Sequence, residues 1–228
     1  MKIVTIHQPE HLSYLGFFHK VSLADTLVLL DNVPYEKNYF QNRNRIVGEN
    51  GEEMWLTVPV GSRIELIKDM PIAPEYGRGV RRKNVKRIDA AYRKSPMYER
   101  YRDGFLEVYD SEFTNLAEYN IALLKWELSV LGIDVRLLRA SSLSNIHGSK
   151  TALLQSILDE TKADKYISGK SGRDYLDMSL MTTPVQFQQF SHPIYTQYGH
   201  TSFTPFMSVI DAIFNIGPET MNVIKKCN

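Results

Sequence analysis

The chain is short of cysteine, of long hydrophobic runs and of net charge, and each shortage removes a class of protein. Its single cysteine, Cys227, stands beside the end of 228 residues. It can build neither a disulfide framework nor a thiolate zinc site, and its terminal position argues against a catalytic thiol. No stretch approaches the ~18 consecutive apolar residues of a membrane-spanning helix. Met1 to Ile6 carries one charged side chain and reaches His7 at once, which leaves no apolar core for a secretion signal. A cytoplasmic protein is the expectation. Lysine and arginine (27) exceed aspartate and glutamate (26) by one, so total charge makes no case for nucleic acid. Internal repeats and low-complexity tracts are missing too. No pair shows the His-x-Glu-x-x-His or Cys-x-x-Cys spacing of a zinc site, so no structural metal is expected.

What is there is ordinary globular composition, 43% hydrophobic and 23% charged. A chain of this length removes roughly 70–75% of its unfolded surface from water, enough for a core without covalent staples. Charge is uneven along it. Ten basic residues lie between Arg78 and Arg102, opposed only by Asp89 and Glu99, so this segment carries +8 and the remainder −7. It is either a solvated helix face or a surface turned towards phosphates or other anions.

Lys2 to Ile6 is a β-branched run ending at His7. Gln8-Pro9 stops it, since proline lacks an N–H and holds its predecessor extended. From Tyr14 to Ala24 apolar residues recur every three or four positions (Tyr14, Phe17, Phe18, Val21, Ala24), which predicts a short amphipathic helix. Thr26 to Leu30 is too short for a helix and fits a strand buried on both faces. Such a β-α-β opening is normally parallel and right-handed. The alternation returns with a helix over Thr114–Leu131 stopped at Gly132, a strand over Asp134–Leu138, a helix over Lys150–Glu160 and a strand over Lys165–Ser168. A strand over Gln186–Phe190 and a helix over Pro205–Asn215, ended by Gly217-Pro218, complete it. The expected fold class is α/β: an open, mostly parallel, Rossmann-like sheet with helices on both faces. Residues from roughly 34 to 112 break the rhythm with a hairpin (Arg45 to Val60, turning at Asn50-Gly51) and the basic helical stretch. The whole chain reads as a single α/β domain, 1–228, with that segment as an insertion.

In open α/β sheets ligands collect beyond the C-terminal strand ends. That rule gathers His7 and Gln8, Asp31 and Asn32, the stretch Ser168 to Arg173, and His192 with Tyr195 around one cleft. His7 follows an apolar strand directly, where an imidazole serves as general base or simply hydrogen-bonds a backbone carbonyl in the core. His192, preceding Pro193, invites the same two readings. His11 and His19 fit a helix surface, and His147 and His200 fit loops. Ser168-Gly169-Lys170-Ser171-Gly172 lacks the spacing of a P-loop. A Gly/Ser turn entering a helix still offers N–H groups to an anion, although small residues also suit the turn itself. Asn38 to Arg45 is the densest hydrogen-bonding stretch. Its amides, aromatics and guanidinium planes suit sugar hydroxyls, a base edge or a phosphate, and Lys37 is a phosphate partner nearby.

Read together, His7-Gln8-Pro9, Tyr14-x-Gly16-Phe17-Phe18-x-Lys20, Ala24-Asp25, Leu30-Asp31-x-Val33, Lys37 and Gln41-Asn42-Arg43-Asn44 strongly resemble the WbqC-like protein family. The likeness runs on through the basic helix and Ala91-Tyr92. It resumes at Tyr166-x-Ser168-Gly169, Asp174-Tyr175-Leu176-Asp177, His192-Pro193-x-Tyr195-x-Gln197 and Ser208-x-Ile210-Asp211-x-x-Phe214-Asn215-x-Gly217, covering nearly the whole chain in order. The resemblance implies a role in bacterial O-antigen or other surface-polysaccharide synthesis, as an enzyme that makes or decorates an unusual sugar. Amide formation on a nucleotide-linked amino sugar, by transfer of glycine or another acyl group, is what it suggests. Glu10-His11 and Lys170-Ser171 depart from the Asn-Tyr and glycine- or proline-rich pairs that the resemblance leads one to expect, and such departures bear on specificity.

For that acyl- or aminoacyl-transferase reading, His7, Asp31 and His192 are the candidate catalytic residues. His7 is the base, and Asp31 orients it or holds the substrate amine. Gln8, Tyr14, Lys37, Asn42, Arg43, Asn44, Gly169, Tyr175 and Tyr195 are the candidate substrate-binding residues. Asn42 or Asn44 would orient a carbonyl or sugar, and Lys37 or Arg43 would neutralise a diphosphate. The donor stays open between ATP-activated chemistry with Mg²⁺ and an acyl thioester, and nucleic acid enters only as a tRNA-borne donor. A nucleotidyltransferase and a non-catalytic binding protein of the same pathway are the competing readings. Oligomeric state is not legible.

Overall fold

Five short strands form one parallel sheet in the computed structural model, which describes residues 1–227. They are β1 (Ile3–His7), β2 (Thr26–Leu29), β5 (Arg136–Arg139), β6 (Lys165–Ser168) and β7 (Val185–Phe187). The order across the sheet is β5-β2-β1-β6-β7. The chain therefore builds outward from β1 in one direction, then crosses back to β6 and builds in the other. The reversal falls between β1 and β6, the topological switch point beyond which open α/β sheets place their ligands.

Alternation along these strands supplies two cores. Leu27 and Leu29 face one side, with Leu15, Phe17, Phe18 and Val21 of helix α1 (Leu15–Ser22) and the apolar stripe of helix α4 (Leu116–Leu131). Val4, Ile6, Val28 and Tyr166 face the other, against Leu153, Leu154, Ile157 and Leu158 of helix α5 (Lys150–Glu160). Helices on both faces explain why the strands read as unbroken apolar runs. Asn115 caps α4 by accepting the Glu118 N–H at 3.1 Å, and Gly132 ends it in the left-handed region at φ 63°.

Between β2 and β5 the chain forms an antiparallel hairpin, β3 (Arg43–Val47) with β4 (Glu53–Thr57), then helices α2 (Arg81–Tyr92) and α3 (Tyr98–Tyr109) before α4. Gly51, at φ 85°, lies in its turn as the Asn50-Gly51 signal predicts. The hairpin turns Ile46 and Leu56 inward and Arg43, Arg45 and Trp55 outward. Helix α2 lies along β4: Asn84 Nδ2 donates to the Thr57 carbonyl at 3.1 Å and an Arg87 guanidinium N–H to that of Trp55 at 3.2 Å.

The differences from the sequence reading are local. β1 runs on to His7, the hairpin starts at Arg43 rather than Arg45, and the last strand lies at Val185–Phe187 rather than Gln186–Phe190. Helix α7 (Val209–Ile216) starts later than Pro205, with Ser208 as its cap. Gly217-Pro218 does end it, but a further helix, α8 (Glu219–Lys225), begins at once. Proline has no N–H to leave unpaired at a helix start, so one Gly-Pro signal serves as both stop and start. A four-residue helix α6 (Gly172–Tyr175) follows β6.

Candidate functional site

The loop leaving β1 is tied down at almost every residue. Gln8 Oε1 accepts from Gln41 Nε2 at 2.8 Å, and the Pro9 carbonyl accepts from Asn120 Nδ2 at 3.3 Å. The His11 N–H donates to Phe40, and the Leu12 carbonyl accepts from Asn44 Nδ2 at 2.7 Å. Leu12 needs that grip, because it sits at φ 49°, where a non-glycine residue is disfavoured. The loop thus presents His7 and Glu10 in a fixed geometry at the switch point.

There three titratable groups stand in line. His7 Nδ1 is 2.9 Å from Lys20 Nζ, and His7 Nε2 is 3.2 Å from Glu10 Oε1. Lys20, on α1, is 4% exposed, and its ammonium has otherwise only the Ile6 carbonyl at 3.3 Å. Burial pulls the Lys20 pKa down to about 8, with Glu10 pulling the other way. Burial, then the charge of Lys20, lowers the His7 pKa, against an opposing pull from Glu10. Both effects favour the neutral imidazole, which accepts from Lys20 at Nδ1, while its Nε2 lies within ion-pair distance of Glu10 without making a hydrogen bond to it. A turn of the Glu10 carboxylate onto Nε2 would complete a line of carboxylate, imidazole and ammonium able to pass a proton.

Phenols and amides surround the carboxylate. The Tyr14 and Tyr39 pKa values are raised by burial first and then by the charge of Glu10. Tyr175, from α6, adds to the effect on Tyr39, so residues following β1 and β6 share this place. Gln41 bridges Gln8 to the backbone N–H of Glu36, which its Oε1 meets at 2.9 Å.

The model of the WbqC-like protein family matches residues 8–223, nearly all of the chain. The chain belongs to that family. Uncharacterized protein Rv1507c of Mycobacterium tuberculosis is 27% identical over 231 residues, which cover 100% of this chain and 99% of that protein. No solved structure matches.

The other expected residues divide into those near this line and those engaged elsewhere. Gln8 and Tyr14 border it, and Tyr175 lies at its rim, 58% exposed. Lys37 is exposed on the loop before the hairpin. Gly169 follows β6, and a Cβ added there would meet nothing within 4 Å. Asp31 is fully buried, but it accepts from Arg139 Nε at 2.7 Å and from the Ser141 N–H and hydroxyl at 2.9 and 2.7 Å. Its carboxylate joins β2 to the end of β5, and His7 is oriented by Lys20 and Glu10 instead.

His192 sits among Phe190, Tyr195, Phe203 and Phe206. Its Nδ1 donates to the Pro193 carbonyl at 2.9 Å, and its Nε2 accepts the Phe206 N–H at 3.1 Å. Backbone occupies both ring nitrogens of this half-buried histidine. The Tyr195 hydroxyl donates to Asp211 at 2.7 Å. Asn44 straps the β1 loop, while Asn42 Nδ2 donates to the Val58 carbonyl at 2.9 Å and leaves its oxygen buried without a partner. Arg43 lies on Trp55 and donates to the Asn38 carbonyl at 2.6 Å.

Sequence reasoning missed Lys20 and Glu10. Lys20 had a visible signal, since it interrupts the apolar stripe of α1 beside Val21. Among the described residues no three His, Cys, Asp or Glu side chains are grouped to hold a metal ion. An open concavity of about 400 Å³ is lined by His19, Leu23 and Gln186 to Gln189 rather than by the switch-point groups.

Proposed function

We propose that this protein is a transferase of bacterial surface-polysaccharide synthesis, forming an amide on a nucleotide-linked amino sugar. The observation that carries the chemistry is the Lys20–His7–Glu10 line at the switch point. The polysaccharide context comes from the family resemblance. An amino sugar arrives as an ammonium, which cannot attack an acyl carbon until it loses a proton. Glu10, ringed by Tyr14 and Tyr39, attracts the ammonium, and His7 takes its proton by way of the carboxylate. The amine nitrogen then bonds to the acyl carbon. The bond to the donor's sulfur or oxygen breaks, the leaving group departs with the electron pair and takes up the second proton shed by the nitrogen, and His7 releases the first to solvent. Lys20 keeps His7 neutral and ready, and Lys37 would meet the diphosphate.

The test is incubation of the purified protein with UDP- or dTDP-linked amino sugars and an acyl thioester, or with an amino acid, ATP and Mg²⁺, read by mass spectrometry. The expected product gains the acyl mass on the sugar amine. His7→Asn and Glu10→Gln should each lower turnover by ~10²- to 10⁴-fold. A thermal shift with the sugar nucleotide should accompany it, about 2.7 kcal/mol at a hundred times the dissociation constant. No amide with any donor, together with no shift by any sugar nucleotide, would overturn the reading.

A further inference from the structure

The outer face of the hairpin carries a ladder of rings and guanidinium groups that starts at Tyr39, beside Glu10, and runs away from the transfer site. Arg43 Cζ lies 4.4 Å from the Trp55 ring centroid, and Arg45 Cζ lies at 5.5 Å. Phe40 stacks on the same indole at 6.2 Å, and Tyr39 meets Phe40 edge-on at 5.5 Å. Trp55 and Tyr39 nevertheless remain 37% and 44% exposed. The ladder runs from Tyr39, beside Glu10, to Trp55, whose carbonyl is held by Arg87 of α2.

Helix α2 continues the surface with bare charge. Arg81 pairs with Asp110 at 3.1 Å, and Arg93 and Lys94 pair with Glu49 at 3.7 and 3.5 Å. Between those neutralised ends, Arg82, Lys83 and Lys86 are exposed, and among the described residues none has a carboxylate partner. The first turn of α2 also has no acidic residue, so these cations crowd the positive end of the helix dipole. Such an arrangement is costly unless an anion meets it. The three bare cations, Arg82 to Lys86, span about 6 Å along the helix axis, the reach of one or two backbone phosphates.

We infer that the Tyr39–Trp55 ladder and the exposed face of α2 form a binding surface for single-stranded nucleic acid. The cations follow the phosphates. The exposed rings of Tyr39 and Trp55 offer stacking faces that only unpaired bases can use. A duplex would hide its base faces, and an acidic peptide would answer the charges but give the ladder no role. Binding is read without turnover, so this inference stands or falls separately from the amide-transfer reading.

The experiment is fluorescence anisotropy of a labelled ~12-nucleotide RNA, and of DNA of the same sequence, with the full-length protein at about 50 and 200 mM salt. Saturable binding that weakens steeply with salt is expected. Arg82→Glu, Lys83→Glu and Lys86→Glu together should weaken it ~10-fold or more and flatten the salt dependence by about 0.7 per lost phosphate contact. Tyr39→Ala, an exposed change, should weaken it about 5- to 100-fold through lost stacking. Preference for RNA over DNA would identify the natural strand, and equal binding would mean that phosphates and bases alone are read. The inference is overturned by no saturable binding at the lower salt. It is overturned equally by heparin, a duplex or an acidic phosphopeptide binding as tightly while Tyr39→Ala has no effect.

Discussion

Two buried carboxylates in this molecule, Asp211 and Glu10, meet their surroundings in opposite ways. Asp211, in the first turn of α7, accepts from the Tyr92 hydroxyl at 2.8 Å, the Tyr195 hydroxyl at 2.7 Å and Gln197 Nε2 at 2.9 Å. Burial raises its pKa and these three donors oppose the rise. None of the three exchanges a proton near neutrality; burial and the charge of Asp211 push both phenols well above their ordinary range. Glu10 has instead an imidazole and, beyond it, an ammonium with a pKa of about 8. A carboxylate locked by inert donors holds parts of the chain together, whereas one beside an imidazole and an ammonium with a pKa of about 8 has groups with which to move protons. Glu127 shows that burial alone does not make the difference. It is buried on α4 with one oxygen unpaired, and burial alone raises its pKa to about 8, yet it faces no second titratable group to work with.

Removing Asp211 should break the holding member of this pair most severely. Asp211→Ala strands two phenols and an amide in the interior, and leaving buried donors without an acceptor costs about 3–5 kcal/mol in total. Tyr92 ends α2 and Tyr195 lies in the loop before α7, so the docking of both should loosen together. Urea unfolding measures the loss. A change below about 1 kcal/mol would mean that the three hydrogen bonds hold nothing.

Acid should separate stability from chemistry next. His11 is fully buried between Tyr109 and Tyr119, with Asn120 at its Nδ1 and no partner at Nε2. Burial lowers its pKa from 6.5 to about 4, partly offset by Asn120. The unfolded chain therefore binds a proton more readily than the folded one between those values. Stability from this group is full above pH 6.5 and falls as pH drops towards 4, by about 3 kcal/mol in all. His11→Phe should flatten that limb in melts between pH 7 and 4, with Glu10 and His7 untouched.

How much of this was readable in the sequence depends on how far apart the partners lie. The parallel sheet was readable because short β-branched runs buried on both faces have no other home, and their C-terminal ends gave the switch point. The hairpin turn was readable from Asn50-Gly51. The contacts of Asp31 were not readable, because its partners, Arg139 and Ser141, come more than a hundred residues later and leave no local trace. Those of His192 lie close in sequence, in the aromatic residues at 190, 195, 203 and 206. Asn44 could not be read at all, because its task depends on the backbone of Leu12 being left-handed.

That task makes Asn44→Ala a measure of how far the site leans on its support. The side chain is 2% exposed, and its Oδ1 also accepts the Arg45 N–H at 2.8 Å. Alanine leaves the Leu12 carbonyl unpaired at a strained residue, a loss of about 1–3 kcal/mol. Turnover should fall as well, because the same loop carries Glu10. Rescue by low temperature or a stabilising osmolyte would show that Asn44 acts through position, whereas a defect untouched by either would place it on the substrate.

Glu10→Gln should change stability least, about 1 kcal/mol, because the new side chain keeps the old shape and one acceptor oxygen. Its effect belongs to titration. Glu10 raises the pKa of both His7 and Lys20, so its loss lets both fall further. Lys20 already releases its proton at about pH 8 when folded, against 10.5 for the ordinary group, so folding is favoured as pH rises between those values. In the Glu10→Gln protein that gain begins at lower pH, and His7 stays neutral further into acid. Nitrogen NMR of the imidazole and of the Lys20 amine reads the two shifts directly. If both titrations match those of the wild type while turnover is lost, Glu10 meets the substrate but does not tune the line. If both move and turnover is kept, the proton path runs through Lys20 and His7 alone, and the contrast with Asp211 reduces to a difference in burial.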